Sequence, residues 1–164
     1  MPTFMSKTQK DEAVAIFGKV RRANSIDYVG AWYHKAAQLI KDSGIRAAFV
    51  STNSITQGEQ VAPLWGKVLG ECNATIFFAH RTFKWMSEAS DKAAVHCVII
   101  GLADKSYSEK RVIYSNGVAT EAMNINPYLV DAPDVLVESQ GAPLCPVLKM
   151  TKGNQPSDGG NLIL

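Results

Sequence analysis

The sequence predicts an α/β fold in which two parallel strands are followed by an antiparallel return strand. Helical and strand patterns alternate along the first half of the chain, which is typical of parallel strands joined by helices. Two short runs rich in isoleucine, valine and phenylalanine, residues 74–79 and 93–101, indicate buried strands. The connection between these runs is short, polar and without a helical stripe, so we expect the second run to return antiparallel to the first.

Length and composition are those of one ordinary globular domain, with 164 residues, 46% hydrophobic and 20% charged. A net charge of +2 does not by itself indicate nucleic-acid binding. No apolar run approaches the roughly 20 residues that span a bilayer, and the N-terminus lacks the apolar core of a signal peptide. Cys72, Cys97 and Cys145 form no CxxC pair, which favours a reducing cytoplasm over a disulfide scaffold or a metal framework.

Two helices are expected before the first strand. Apolar residues within 6–22 fit one helical face, although Gly18 leaves the far end of this helix open. A clearer helix is expected over residues 27–41. Its apolar stripe, which we expect to cover the sheet, consists of Tyr28, Val29, Trp32, Ala36, Leu39 and Ile40.

Residues 46–51 (RAAFVS) form the expected central strand, and a polar loop follows at its carboxyl end, where open α/β sheets bind ligands. Small hydrogen-bonding side chains make this a candidate cleft loop; they are Ser51, Thr52, Asn53, Ser54 and Thr56. Alternatively, Thr56 and Glu59 form a T-x-x-E capping box. That box would place Pro63 inside the helix, whereas a helix start near residues 58–60 avoids the conflict.

The polar connection after residue 79 is expected to form a loop. It carries His80, Arg81 and Lys84 interleaved with two aromatic residues, Phe83 and Trp85. A basic, aromatic loop on a rigid sheet fits an anionic ligand with a flat face, such as a nucleotide. The alternative is that both rings plug the core, because residues two apart on an extended chain share one face.

Familiar catalytic motifs are missing, since the sequence has no GxGxxG, no P-loop and no GxSxG. His96 and Cys97 are neighbours on a strand and point to opposite faces, so they cannot form a dyad with each other, and both are expected in the core. A hydrolase using Cys97 would need another histidine nearby in space. His34 and His80 have no spacing that predicts a metal site.

Beyond residue 101 the pattern is weaker. One further strand is expected at residues 111–114. Five of the seven prolines lie beyond residue 125, which predicts an extended, irregular tail with at most a short element near residues 135–137.

Five stretches, in order along most of the chain, carry a resemblance to a known family: DYVGAWYHKAA (27–37), RAAFVSTNSITQGEQV (46–61), FFAHRTFKW (77–85), AAVHCVIIG (93–101) and INPYLVDAPDV (125–135). They resemble the bacterial adenine-specific DNA methyltransferases, in particular large single-chain enzymes that fuse restriction and modification, and their methylase relatives. The resemblance implies a class I, Rossmann-like methyltransferase sheet. It also implies S-adenosylmethionine-dependent transfer of a methyl group to the exocyclic amine of adenine in DNA.

Two motifs of that family are absent from the sequence: the glycine-containing loop that binds S-adenosylmethionine, and the catalytic Asn/Asp-Pro-Pro-Tyr/Phe motif. Asn126-Pro127-Tyr128 is one proline short and follows the aromatic segment, so we reject it as the catalytic motif. We therefore expect a fragment without a catalytic residue or bound cofactor. Residues 1–104 would form the second half of the methyltransferase core, and residues 105–164 would lead toward a target-recognition region.

The family resemblance also assigns roles within the aromatic segment. An aromatic side chain of the family stacks on the adenine flipped out of the duplex; Phe83 matches that position and Trp85 is the next candidate. Arg81, Lys84 and His80 would contact the DNA, and the loop after the central strand would border the same cleft.

Such a half-sheet leaves one edge open at strand 46–51. We expect it to be covered by a second copy of the chain or by the helix of residues 6–22. The rival interpretation of the whole chain is a non-catalytic DNA- or protein-binding module.

Overall fold

The computed structural model describes residues 5–18, 20–85, 95–138, 140–142 and 145–147. The helices are α1 (Lys7–Phe17), α2 (Val29–Ile40) and α3 (Val61–Trp65), the last continued by a π-helical segment, Gly66–Glu71. The strands are β1 (Ala47–Thr52), β2 (Ala74–Trp85), β3 (Val95–Asp104), β4 (Arg111–Ser115) and β5 (Val118–Ala122). Among these described residues, no helix is long and apolar enough to cross a membrane.

The five strands form one sheet in the order β1-β3-β2-β4-β5. Strand β3 is antiparallel to both β1 and β2, so β1 and β2 run parallel to each other on either side of it. Strand β4 is parallel to β2, and β5 returns antiparallel beside β4. The predicted α/β fold, with two parallel strands and an antiparallel return strand, is confirmed. The expected domain boundary at residue 104 falls between two strands of this one sheet.

Strand β2 continues to Trp85, so the expectation of a loop beginning at His80 was wrong. Lys84 pairs with His96 and Trp85 pairs with Val95 in the β2–β3 ladder. Polar and charged residues are compatible with this part of the strand because it extends past the core, with its side chains partly or fully exposed.

The buried face of α2 also differs from the predicted stripe. Trp32 and Leu39 are 55% and 69% exposed, whereas the small residues Gly30, Ala31 and Ala37 are buried. Small side chains let the helix axis approach the sheet closely. The helix and the sheet enclose the core, whose largest fully buried side chains are Trp65, Tyr33, Phe17, Ile26 and Ile40.

The ends of α1 and α3 follow local chemistry. Ser6 and Gln9 form a reciprocal capping box at the start of α1. The alternative box at Thr56 does not form, because the Thr56 hydroxyl instead donates to the carbonyl of Asn53. Helix α3 starts at Val61, which puts Pro63 in its first turn, where the missing amide proton costs no helical hydrogen bond.

Beyond Ala122 the described chain is irregular, as expected. Ile125 forms isolated bridges with Ile76 and Asp131, which hold the tail against the sheet. Asn126 is buried, and its side-chain oxygen accepts hydrogen bonds from the amides of Tyr128 and Val130. This asparagine therefore organises a turn.

Candidate functional site

A row of aromatic rings lies on the face of the sheet opposite to the one that α2 and α3 cover. His80 contacts Phe83 with ring centroids 4.8 Å apart, and Phe83 lies 6.3 Å from Trp85. On the other side of His80, Tyr114 of β4 lies 6.3 Å away with its ring almost parallel. Three of the sequence-predicted site residues, His80, Phe83 and Trp85, thus form one row.

Two irregularities in β2 produce this arrangement. Between Ile76 and Phe78, and again between His80 and Phe83, β2 has one residue more than β3. Each extra residue reverses the alternation of faces, so His80 and Phe83, an odd number of positions apart, lie on the same face. The same effect places Ile76 and Ala79 together in the core.

His80 is held by a hydrogen bond to the backbone of the second bulge. Its Nδ1 lies 2.8 Å from the carbonyl oxygen of Arg81. Because a carbonyl oxygen only accepts, Nδ1 carries the proton, and the Nε2 of a neutral ring is left as an acceptor. The ring of His80 is therefore fixed in position while one nitrogen keeps its capacity to accept.

The basic residues of the segment are less well grouped. Arg81 lies at the bulge and is exposed. Lys84 is also exposed, but it alternates with Phe83 and Trp85 and so points to the opposite face of β2. The structure brings the rings together and leaves Lys84 at the rim of the sheet.

The candidate cleft loop starts at the same end of the sheet as the rings. Thr52 of β1 and Phe83 of β2 are both paired with Cys97 of β3, one on each side. With strands about 4.8 Å apart, the end of β1 lies about 10 Å from Phe83. That the loop and the rings border one cleft stays a prediction.

Most hydroxyl groups of that loop are already bonded within the protein. Ser51 is buried, with its Oγ 3.1 Å from the hydroxyl of Tyr33. The Ser54 hydroxyl donates to Asp27 Oδ2 at 2.7 Å, and the Gln60 amide donates to the same oxygen at 3.0 Å. Asp27, two residues before α2, thus ties the loop to the start of that helix.

The histidine–cysteine pairs do not form a catalytic dyad. His96 is exposed, so its expected place in the core was wrong, while Cys97 is buried. His34 and Cys72 do meet, with Nδ1 and Sγ 3.6 Å apart. Burial raises the pKa of the Cys72 thiol and lowers the pKa of His34, so both groups stay neutral and unreactive.

Within the part of the chain that the structure describes, no three His, Cys, Asp or Glu side chains converge on a metal site. The three cysteines are free thiols.

Residues 2–115 match the family described as the DNA-methyltransferase domain of MmeI. The chain belongs to this family. It is 37% identical over 158 residues to DNA methyltransferase A of Bacillus subtilis (strain 168), a match that covers 96% of this chain and 18% of that protein.

A solved structure agrees with this assignment. The chain is similar to the Type IIL restriction-modification enzyme MmeI, solved in complex with DNA, with a TM-score of 0.86 and 46% identity. The match covers 96% of this chain and 22% of that one. The chain therefore spans less than a quarter of the length of either relative.

Membership in the MmeI methyltransferase family implies S-adenosylmethionine as the methyl donor. The loop after β1 does not fit this cofactor. It has no glycine between Thr52 and Gln57, and the hydroxyl of Ser54 is committed to Asp27. The described residues of this loop therefore do not form a glycine-containing cradle for the methyl donor.

Sequence reasoning missed Tyr114, which lies beside His80 in the parallel β2–β4 ladder. The strand that carries it was predicted, but its place next to β2 was not. The only available signal was the aromatic residue at the end of a predicted strand.

Proposed function

We propose that this chain forms the target-base side of a DNA adenine methyltransferase of the restriction–modification type. The observation that carries the proposal is the position of Phe83. Its partly buried ring lies between His80 and Trp85, at the end of the sheet where the loop after β1 begins. Such a ring offers one flat face to a base that has left the duplex.

The free-energy cost of extruding a base is of the same order as the gain from stacking it on Phe83. Extruding a base from duplex DNA costs a few kcal/mol. Stacking it on an aromatic side chain returns roughly 1–3 kcal/mol. Trp85, 47% exposed, extends the stacking surface, and Arg81 at the bulge would contact a neighbouring phosphate.

We further propose that the chain alone neither binds S-adenosylmethionine tightly nor transfers a methyl group. Two observations support this: the sequence lacks both cofactor and catalytic motifs, and the polar loop after β1 is bonded internally. The proposed place of action is the cytoplasm, which agrees with three free thiols. Transfer of label from S-adenosylmethionine to adenine in DNA by this chain would contradict the proposal.

The stacking role of Phe83 is tested by binding of the chain to a fluorescent single-stranded oligonucleotide that contains adenine. Phe83→Ala is expected to raise the dissociation constant about tenfold, in keeping with one lost stacking contact. Phe83→Tyr keeps a ring and is expected to bind like the native protein. Equal affinity for the native protein and Phe83→Ala would refute the assignment. Binding that weakens with added salt but is unchanged in Phe83→Ala would instead favour a non-catalytic DNA-binding module.

Among the described residues β1 pairs with β3 alone, and this supports a second proposal, pairing with another copy of the chain. Strand β1 has β3 as its partner on one side, and Val50 in that strand is half exposed. Helix α1 lies against α2, where the ring of Phe17 contacts His34. Edge strands with free backbone groups pair readily with other strands. Sedimentation that finds a monomer at high concentration would contradict this homodimer.

A further inference from the structure

We propose that Tyr114, together with His80 and Phe78, binds a second nucleobase, the neighbour of the base that stacks on Phe83. This inference rests on the proposed function and extends its surface by one nucleotide. It assigns a role to a residue outside the segment that the family resemblance marks.

The geometry of Tyr114 is the first argument. Tyr114 pairs with His80 across the parallel β2–β4 ladder, and the two ring planes differ by only 8°. Phe78 meets Tyr114 edge-on, with centroids 6.4 Å apart. Tyr114 remains 40% exposed, so this packed ring keeps a surface for a ligand.

Continuity with Phe83 is the second argument. The ring of His80 lies 4.8 Å from that of Phe83 and 6.3 Å from that of Tyr114, measured between centroids. A strand whose target base lies on Phe83 therefore has a ring surface directly beside it for the adjacent base. Base–aromatic stacking tolerates any base, because every base has a flat π face.

The shape of the surface is the third argument. A concavity of about 480 Å³ lies beside Tyr114, and its lining includes Phe77, Phe78, His80, Tyr107 and Lys110. This volume lies within the range of small-molecule sites, and the lining is mostly apolar with few polar groups. A concavity of this size is large enough for one nucleotide, and Nε2 of His80, whose Nδ1 is bonded to the carbonyl of Arg81, is the ring nitrogen that can accept from the exocyclic amine of a base.

Charge at the rim favours a nucleotide over an apolar partner. Lys110 lines the concavity, and its ammonium group contacts Glu121 at 2.6 Å. Both side chains are largely exposed, so this ion pair is weak and a phosphate competes with it. Arg46 lies over the rings of Tyr107 and Phe77 and forms a second exposed ion pair, with Glu109, which a phosphate would likewise have to displace.

The test uses the whole chain and two probes, deoxyadenosine 5′-monophosphate and a single-stranded pentanucleotide. The ring signals of His80 and Tyr114 are followed by NMR, and affinity is measured by fluorescence anisotropy. The pentanucleotide is expected to shift both ring signals. Tyr114→Leu is expected to weaken pentanucleotide binding about tenfold, the loss of one stacked base, whereas Tyr114→Phe keeps the native affinity.

Each outcome decides between this inference and the function on which it rests. If Phe83→Ala weakens binding and Tyr114→Leu does not, the second base site is refuted and the proposed function stands. If only Tyr114→Leu weakens binding, the role of Phe83 fails and the Tyr114 site remains. Unchanged ring signals of His80 and Tyr114 at saturating pentanucleotide would overturn the inference. Circular dichroism of each variant verifies that it is folded.

Discussion

The ring of Phe78 lies on the backbone of Gly101, its partner across the β2–β3 ladder. A Cβ atom at Gly101 would approach two ring atoms of Phe78 to 2.4 Å and one of Phe77 to 2.8 Å. These two rings line the concavity beside Tyr114, so this glycine is what lets the aromatic surface sit close to the sheet.

Gly101→Ala is therefore expected to destabilise the fold by about 1–3 kcal/mol, the usual cost of overpacking. The destabilisation is measured as the decrease in the free energy of unfolding in urea. Gly70→Ala serves as the control, because a Cβ there meets nothing within 4 Å. Similar unfolding midpoints for the two variants would show that the rings move aside without cost.

How far the sequence predicts this fold depends on the element. The order of helices and strands followed from hydrophobic periodicity, because α2, β1 and β3 are long or apolar enough to have a clear pattern. The buried face of α2 could not be predicted in this way, because hydropathy alone favours the burial of Trp32 and Leu39. The decisive residue there is Tyr33, whose polar end is satisfied by Ser51, and that contact is invisible before β1 is placed.

The sequence predicts which residues form the site, but not how their rings are arranged. Phe83 and Trp85 were singled out from their basic, aromatic neighbourhood, and they do lie together. The bulge that aligns His80 with Phe83 depends on pairing with β3, so no local pattern reveals it. For the same reason the contact of Tyr114 with His80 could not be predicted.

Removing the Asp27 carboxylate is expected to destabilise the loop after β1. Asp27→Ala leaves the buried amide of Gln60 and the hydroxyl of Ser54 without their shared acceptor. An unsatisfied buried polar group costs about 1–3 kcal/mol. Thermal or urea unfolding measures the loss. Asp27→Asn retains an acceptor oxygen, so its free energy of unfolding is expected to fall between those of the native protein and Asp27→Ala. Equal losses in the two variants would show that Asp27 stabilises the protein through its charge alone.

Tyr33 and Ser51 are expected to be energetically coupled. Burial raises the pKa of Tyr33 to about 12, so its hydroxyl stays protonated near neutral pH and remains bonded to Ser51. A double-mutant cycle with Tyr33→Phe and Ser51→Ala should give a coupling energy of about 0.5–1.5 kcal/mol, the worth of one hydrogen bond. Additive losses in unfolding free energy would show that the two hydroxyls act independently.

Stability should fall in acid through Asp104. Hydrogen bonds from Ser106, and then from the amide of Asp42, lower the pKa of this carboxyl from 3.8 to about 2. Because the folded pKa lies below the unfolded one, the contribution is complete above about pH 4 and is lost as pH falls toward 2. The free energy of unfolding against pH should decline less steeply there for Asp104→Asn. The variant Asp11→Asn, at an exposed position of α1, is the control and should follow the native curve.

The cysteines should differ in reactivity. Cys145 is exposed, whereas Cys72 and Cys97 are buried. A thiol reagent is expected to modify one cysteine rapidly in the native protein and all three after unfolding. Cys145→Ser should abolish the rapid phase. A rapid phase that persists in Cys145→Ser would show that Cys97 is accessible and would favour the alternative hypothesis of a hydrolase that uses Cys97.

The strand order has a consequence for how the chain is made. Strand β3 supplies the backbone partner of β1 and lies between it and β2. During synthesis, β1 therefore has no strand to pair with until residues 95–104 have left the ribosome. Its early folding must rely on helices packing against an unpaired strand. Nascent chains whose residues 95–104 are still inside the ribosomal exit tunnel should be sensitive to proteases, and emergence of these residues should bring protection.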